Sequence, residues 1–301
     1  MRRTPIAVVL VLACGEGDAS TSTETSTAST TSATSSSSTT GVDATTDSGN
    51  DGDASSAGSS GALATSSGIV DGGTSDTGTP AMLPAELLDL SDWKLTLPIG
   101  SRRDPESPRE VLQPELATFA IDPWFVLDGD AVRFRAHAGG VTTSSSGYPR
   151  SELREMSNDG ADEAAWSTSS GVHTMTITQT ILQLPEVKPH VVAGQIHDAD
   201  DDVVMIRLEG EHLFVEGGGD ELGDLDAAYQ LGTEFTVQLV AHDGTIDVYY
   251  EDLATPAVSV ARDVDGCYFK AGVYTQSNEE QGDAPEAYGE VAIRELVVTH
   301  E

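Results

Sequence analysis

Cations, aromatics and cysteine are all scarce in this chain. Across 301 residues, 15 Lys and Arg face 50 Asp and Glu, a formal net charge of −35. Nothing like a basic face exists to neutralise a run of phosphates, so nucleic acid is not expected as a partner. The two cysteines, Cys14 and Cys267, imply no disulfide framework. The apolar run from Ile6 to Ala13 is too short to span a bilayer. Between Gly15 and Asp92 there is no Lys, Arg, Phe, Trp or Tyr. Residues 15 to 80, mostly Ser, Thr, Gly, Ala and Asp, carry too little apolar surface to offset the entropy of ordering. They are expected to form a disordered linker.

The stretch before that linker, MRRTPIAVVLVLACG, joins two arginines to the apolar run and then to Cys14. It reads as a secretion signal and resembles a bacterial lipoprotein signal over residues 1 to 14. The resemblance implies lipid on Cys14 and a secreted or cell-envelope location, with the membrane met only through that lipid. A linker over residues 15 to 80 would then be a tether with a reach of roughly 45 Å. Residues 81 to 301 remain as the foldable part, long enough for one sizeable core. They hold 13 Lys and Arg against 41 Asp and Glu. Most of those carboxylates read as a solvated surface. Clusters of cations are informative against that background, because an anionic ligand has to be captured locally.

The foldable part predicts strands. AVRFRAH (131–137) alternates, GVHTMTITQTIL (171–182) is rich in β-branched residues, and GEVAIRELVVTH closes the chain as a strand. Two hairpins are expected, in 203–217 around Glu209-Gly210-Glu211 and in 235–252 around Asp243-Gly244. Helix is expected only in short pieces, at PAELLDL and SPREVLQPELATF. Many short strands with little helix predict an all-β fold, a jelly roll sandwich.

Three of these segments put unusual residues on one face. RSELRE (150–155) places Arg150, Glu152 and Arg154 opposite Ser151, Leu153 and Glu155. VVAGQIHDAD places Gln195 beside His197. CYFKAGVYTQ lines up Tyr268, Lys270, Gly272, Tyr274 and Gln276, with Phe269, Ala271, Val273 and Thr275 behind. One such face alone is commonly just solvated. Three together predict a cleft on a concave sheet, and Gly272 would leave room for a ligand near the backbone. Elsewhere, His173, His190, His212, His242 and His300 read as surface or structural, and Trp93 and Trp124 as core. Asp198, Asp200, Asp201 and Asp202 read as a solvated loop rather than a calcium loop. Cys267 reads as a buried small hydrophobe.

RSELRE, QIH and YFKAGVYTQ resemble, in order and spacing, the three motifs of the alginate lyases of polysaccharide lyase family 7. The resemblance runs over most of residues 90 to 300 and takes in SDWKLTLPIG and KPHVVAGQIHDADDDVVMIRLEG. It implies a β-jelly roll whose concave sheet holds the anionic polysaccharide, acting as a monomer with no cofactor or metal. It also implies cleavage of the 1,4 bond by β-elimination. Arg150 and Gln195 would bind the reacting carboxylate with His197 close by, and Tyr274 would protonate the leaving oxygen. For mannuronate Tyr274 would also take the C5 proton, and for guluronate His197 would be the base. Arg154 and Lys270 would hold neighbouring carboxylates, Glu152 would fix the two arginines, and Gln276 would bond the sugar. The isoleucine between Gln195 and His197 implies a leaning to guluronate-containing blocks.

Three alternatives remain open at this point. A hydrolase would need two carboxylates flanking the bond, and the motif face offers Glu152 alone. A non-catalytic polyuronate-binding jelly roll would not need both Tyr274 and His197. A lyase for another polyuronate, such as a glucuronan, would use the same residue types.

Overall fold

The computed structural model describes residues 83 to 301. The expectations for the signal, Cys14 and the linker fall outside the described residues. Sixteen strands follow in chain order among the described residues: β1 (Trp93–Gly100), β2 (Pro108–Val111), β3 (Phe125–Asp128), β4 (Ala131–His137), β5 (Arg150–Ser157), β6 (Asp162–Glu163), β7 (Val172–Gln183), β8 (His190–His197), β9 (Asp202–Glu209), β10 (His212–Gly217), β11 (Asp220–Asp226), β12 (Glu234–His242), β13 (Thr245–Tyr250), β14 (Val258–Ala261), β15 (Tyr268–Thr275) and β16 (Tyr288–His300). They form two antiparallel sheets. One runs β11-β10-β9-β8-β15-β5-β1-β2, with β6 on β5; the other runs β14-β13-β12-β7-β16-β4-β3. This is the jelly roll sandwich that the strand pattern predicts.

Alternation explains why the layers hold. Leu153, Ile196, Phe269, Ala271 and Val273 of the first sheet meet Phe134, Ile177, Val237, Leu239, Val291 and Ile293 of the second in one core. Burying each aliphatic side chain contributes about 1.5–3 kcal/mol. Both hairpins turn as expected. Asp243 and Gly244 take φ of 48° and 71° between β12 and β13, the paired positive values of a type I′ turn. Glu209 and His212 pair across the Gly210-Glu211 turn. Trp93 is buried in the core, Trp124 packs against it, and Cys267 is buried and free.

Two expectations are corrected. SPREVLQPELATF is not helical as a unit: Pro108–Val111 is an edge strand on β1, and only Leu116–Thr118 forms a 3-10 turn. Pro114 inside the stretch cannot donate to a helix ladder, and Val111 has a buried slot to fill against β1. PAELLDL gives only the 3-10 turn Pro84–Glu86. Gly272, for its part, is not a gap for ligand. The register between β15 and β8 slips between Lys270 and Tyr274, Gly272 has φ of 131°, and a Cβ there would lie 2.5 Å from the Ser151 carbonyl oxygen. A glycine is needed for close approach to β5 within the sheet.

Candidate active site

β15 lies between β8 and β5, so the register of two pairings decides which polar residues meet. Lys270 stands opposite Gln195 on one side and Arg154 on the other. Tyr268 is opposite His197, Gly272 opposite Glu152, and Tyr274 opposite Arg150. All eight residues singled out from the motifs, Arg150, Glu152, Arg154, Gln195, His197, Lys270, Tyr274 and Gln276, line one cleft of about 730 Å³. Sequence separations of up to 126 residues between Arg150 and Gln276 vanish in the sheet.

Glu152 is the hub of its floor. It is 2% exposed, and it accepts from Arg150 at 2.9 Å, from the Lys270 ammonium at 2.9 Å and from the Gln195 amide. Burial alone would raise this carboxyl, but Lys270 and Arg150 outweigh it and hold Glu152 below the ordinary carboxylate value. Burial pushes Lys270 down to about 8 despite its carboxylate partner. Two orphaned donors remain at the cleft wall: the Arg150 Nε–H and the Gln276 Nε2 amide are buried without a protein partner. A buried donor without a partner costs about 1–3 kcal/mol.

His197 is held as a neutral imidazole. Its Nδ1 lies 2.6 Å from the Asp198 carbonyl oxygen, which can only accept, so Nδ1 carries the hydrogen and Nε2 keeps its lone pair. Burial first, and the Lys270 charge second, hold its imidazole below the ordinary value. Tyr268 supports it, with ring centroids 5.4 Å apart and the hydroxyl 3.2 Å from Nδ1. Tyr274 is held otherwise: the Arg150 guanidinium sits 3.9 Å from its ring centroid and its hydroxyl is 2.7 Å from Ser146 Oγ.

Some of the expected contacts differ. Glu152 fixes Arg150 and Lys270, not the two arginines. Arg154 lies over the Tyr268 ring at 4.0 Å and pairs instead with Glu163 at 3.4 Å. Lys270 is committed to Glu152 from below rather than free to hold a neighbouring carboxylate. Residues that the motif reading passed over also reach the cleft. Lys94 bridges Glu110 at 2.9 Å and Glu163 at 3.3 Å, and its place next to Trp93 on an alternating strand could have shown which way it points. Ser146 sits in TTSSSGY, where nothing in the sequence separates it from its neighbours.

A second cavity of about 660 Å³ lies around Trp93, Trp166, His173 and His300. Its ionisable lining besides the histidines is Asp89, Asp92 and Glu155, with no Lys or Arg. The cleft, by contrast, is lined by Arg150, Arg154, Lys94, Arg207 and Lys270 among its carboxylates. His173, expected at the surface or in a structural role, is buried and bonds His300 and the Ser170 carbonyl. Asp198 accepts the amides of Asp200 and Asp201 and so caps its own loop.

A jelly roll whose one sheet gathers Arg150, Arg154, Lys94 and Lys270 with a neutral imidazole and a tyrosine hydroxyl in a cleft defines the class: a protein built to work on an anionic polymer. The family model described as alginate lyase matches residues 88–300, and the chain belongs to that family. It is 57% identical to the solved alginate lyase AlgAT5 of polysaccharide lyase family 7, over 73% of this chain and 100% of that one, with a TM-score of 0.70. An alginate lyase from Corynebacterium sp. is 46% identical over 74% of this chain and 100% of its own, with a TM-score of 0.69. A variant of the family 7 alginate lyase A1-II′, solved in complex with substrate (GGMG), is 27% identical over 74% of this chain and 98% of its own, with a TM-score of 0.61. Among curated proteins, an alginate lyase from Klebsiella pneumoniae is 25% identical over 282 residues, 72% of this chain and 91% of the relative. The enzyme class is therefore alginate lyase, a polysaccharide lyase.

Proposed function

We propose that the cleft cleaves the 1,4 bonds of alginate by β-elimination, leaves an unsaturated uronate at each new non-reducing end, and leans to guluronate-containing blocks. The observation that carries this reading is the juxtaposition on β8, β15 and β5 of a lone-pair nitrogen, a phenolic hydroxyl and a carboxylate-binding pair. A proton on C5 beside an ionised carboxylate is very weakly acidic, so charge on that carboxylate has to be neutralised before a base can act. The Arg150 guanidinium and Gln195, with the amide hydrogen that Glu152 does not take, supply that neutralisation. His197 Nε2 takes the C5 proton of guluronate, and Tyr274 gives its proton to the departing O4. For mannuronate, whose C5 hydrogen lies on the other ring face, Tyr274 serves both steps. Gln276 bonds the sugar, while Arg154 and Lys94 meet carboxylates further along.

The guluronate leaning rests on Ile196, which is fully buried behind the sheet and can act only through the backbone of its neighbours. One methylene there is worth about 0.8 kcal/mol, enough to adjust His197 and not enough for absolute selectivity. The test is incubation with separate polyguluronate, polymannuronate and alternating fractions, followed by ultraviolet absorbance of the new C4–C5 double bond. Faster signal on polyguluronate or mixed blocks is expected. Depolymerisation without that absorbance overturns the elimination, and a polymannuronate preference overturns the leaning.

Beyond the cleft, we infer from the first 80 residues a secreted enzyme tethered through lipid on Cys14. Loss of membrane-fraction activity on Cys14→Ser checks the anchor.

A further inference from the structure

We propose that Ser146 is the positioning residue that aims the Tyr274 proton into the cleft and holds the tyrosine oxygen once that proton has gone. The inference rests on the elimination reading and assigns a part in it to a loop serine outside the three motifs.

Hydrogen counting carries the argument. Ser146 Oγ has one hydrogen and three polar neighbours. The Tyr148 amide donates to it at 3.1 Å; the Tyr148 carbonyl at 3.2 Å can only accept; the Tyr274 hydroxyl at 2.7 Å can do either. If the serine hydrogen goes to the Tyr148 carbonyl, the Tyr274 hydrogen points at Ser146 and is withheld from the substrate. If the serine hydrogen turns to the Tyr274 oxygen, the tyrosine hydrogen has to point elsewhere, and the cleft is the open direction, since both residues line it. The 2.7 Å contact serves either donor, and only the second arrangement leaves the tyrosine hydrogen free for the substrate.

The loop is built to keep Ser146 in place. Its own amide bonds the Thr143 carbonyl at 3.0 Å, the Gly147 carbonyl accepts from Asn278 at 2.9 Å, and the Pro149 carbonyl accepts the Thr275 amide at 3.0 Å. The last two anchors join the loop to Thr275 and Asn278, just after Tyr274 in the chain, so serine and tyrosine are referenced to one another rather than to opposite walls. Tyr148 is tied separately, its hydroxyl accepting from Lys188 at 2.9 Å and its ring set edge-on to Tyr274.

In the elimination the base takes the C5 hydrogen as a proton and the C5–H electron pair becomes the C4–C5 double bond. The C4–O bond breaks, and the departing oxygen takes the Tyr274 proton. The tyrosine oxygen is then a phenolate, and Ser146 is the donor already facing it. That hydrogen bond is stronger in the transition state than before it, which is where an interaction raises kcat rather than affinity.

The test uses the full chain and reads initial rates by absorbance of the unsaturated product. Ser146→Ala should lower kcat by about 10- to 100-fold and leave KM within about twofold, because the serine acts only as the proton moves. In a Tyr274→Phe background, Ser146→Ala should cost nothing further, since the hydroxyl it serves is gone. Unchanged kcat in Ser146→Ala, a loss carried by KM as a collapsed loop would give, or an equal loss in the Tyr274→Phe background would each overturn the inference. A wild type that yields no unsaturated product would bring down the elimination reading itself, and is thereby distinguishable from a failure confined to Ser146.

Discussion

Glu152 and Glu155 sit three residues apart on β5, equally buried at 2% exposure, on opposite faces of the sheet. Glu152 faces the cleft and is held by charged side chains, Arg150 and Lys270, with the Gln195 amide. Glu155 faces inward and is held mainly by neutral donors. Its Oε2 accepts from the Trp166 indole at 3.0 Å and the Phe269 amide at 2.8 Å, while Oε1 meets His300 at 2.6 Å. His300 in turn meets His173 at 2.7 Å, and His173 bonds the Ser170 carbonyl, so this chain of contacts clips β5, β15, β7 and β16 together. Burial of a carboxylate is costly in both places. On one side the cost assembles a cationic floor that a polyuronate can use. On the other it locks the ends of strands from two sheets.

The largest effect should come from the cleft side. Glu152→Gln keeps size but leaves Arg150 and Lys270 without their shared anion, so the guanidinium loses the contact that aims it. Turnover should fall by about 100-fold or more, with only a modest loss of stability, because Lys270, already near 8, can shed its proton. Rates and urea midpoints measured together check this; an active Glu152→Gln would make the carboxylate a packing group like its neighbour.

Glu155→Ala should do the reverse. It strands the Trp166 indole, the Phe269 amide and His300, for a loss of about 3 kcal/mol, or roughly 6–12 °C in Tm for a fold of this size. Specific activity of the folded protein well below its melting point should stay near wild type. If activity falls as far as stability does, the two faces are not separable and the contrast is wrong.

Much of this contrast was legible in the sequence, because period-two alternation assigns a face to every residue of 150–155, 195–197 and 268–276. The fold class followed from the same alternation. Which strands would be neighbours did not, since nothing local says that β15 inserts between β8 and β5. That is why the sequence pairs Glu152 with Arg154, its companion on the same strand, and not with Lys270 across the ladder. The slip at Gly272 was equally hidden, because a glycine reads alike whether it admits a ligand or another backbone. Ser146 lies in a run of serines, and only three-dimensional contact distinguishes one of them.

A third expectation concerns pH. On polyguluronate, kcat/KM should rise as His197 loses its proton, with the midpoint below the ordinary 6.5 because burial and Lys270 depress it. It should fall again above about 8, where Lys270 turns neutral and the floor around Glu152 loses a cation. Stability should move the other way there. Between about 8 and the ordinary 10.5, the unfolded chain holds a proton on this lysine that the folded chain has released, so raising pH favours the fold. Rate profiles and unfolding midpoints over that window check both signs. A rate and a stability that decline together would remove Lys270 as the cause.

The smallest effect should come from the rim, where the same ionic chemistry is exposed. Glu163, mostly solvent-accessible, lies 3.3 Å from Lys94 and 3.4 Å from Arg154. Those cations face the cleft, about 13 Å along β5 from Arg150 at strand spacing. A carboxylate of the bound polymer therefore competes with one of the protein's own. Unlike Glu152, this carboxylate is not needed to hold its partners, since Lys94 also meets Glu110 and Arg154 packs on Tyr268. Glu163→Gln should free the subsite without disturbing the chemistry. Exposed ion pairs are worth about 0–1 kcal/mol, so KM should fall by about two- to fivefold with kcat unchanged. The gain should shrink as salt screens the polymer. A KM that rises instead would mean that Glu163 aims Lys94 and Arg154 as Glu152 aims Arg150, and that rim and floor follow one rule.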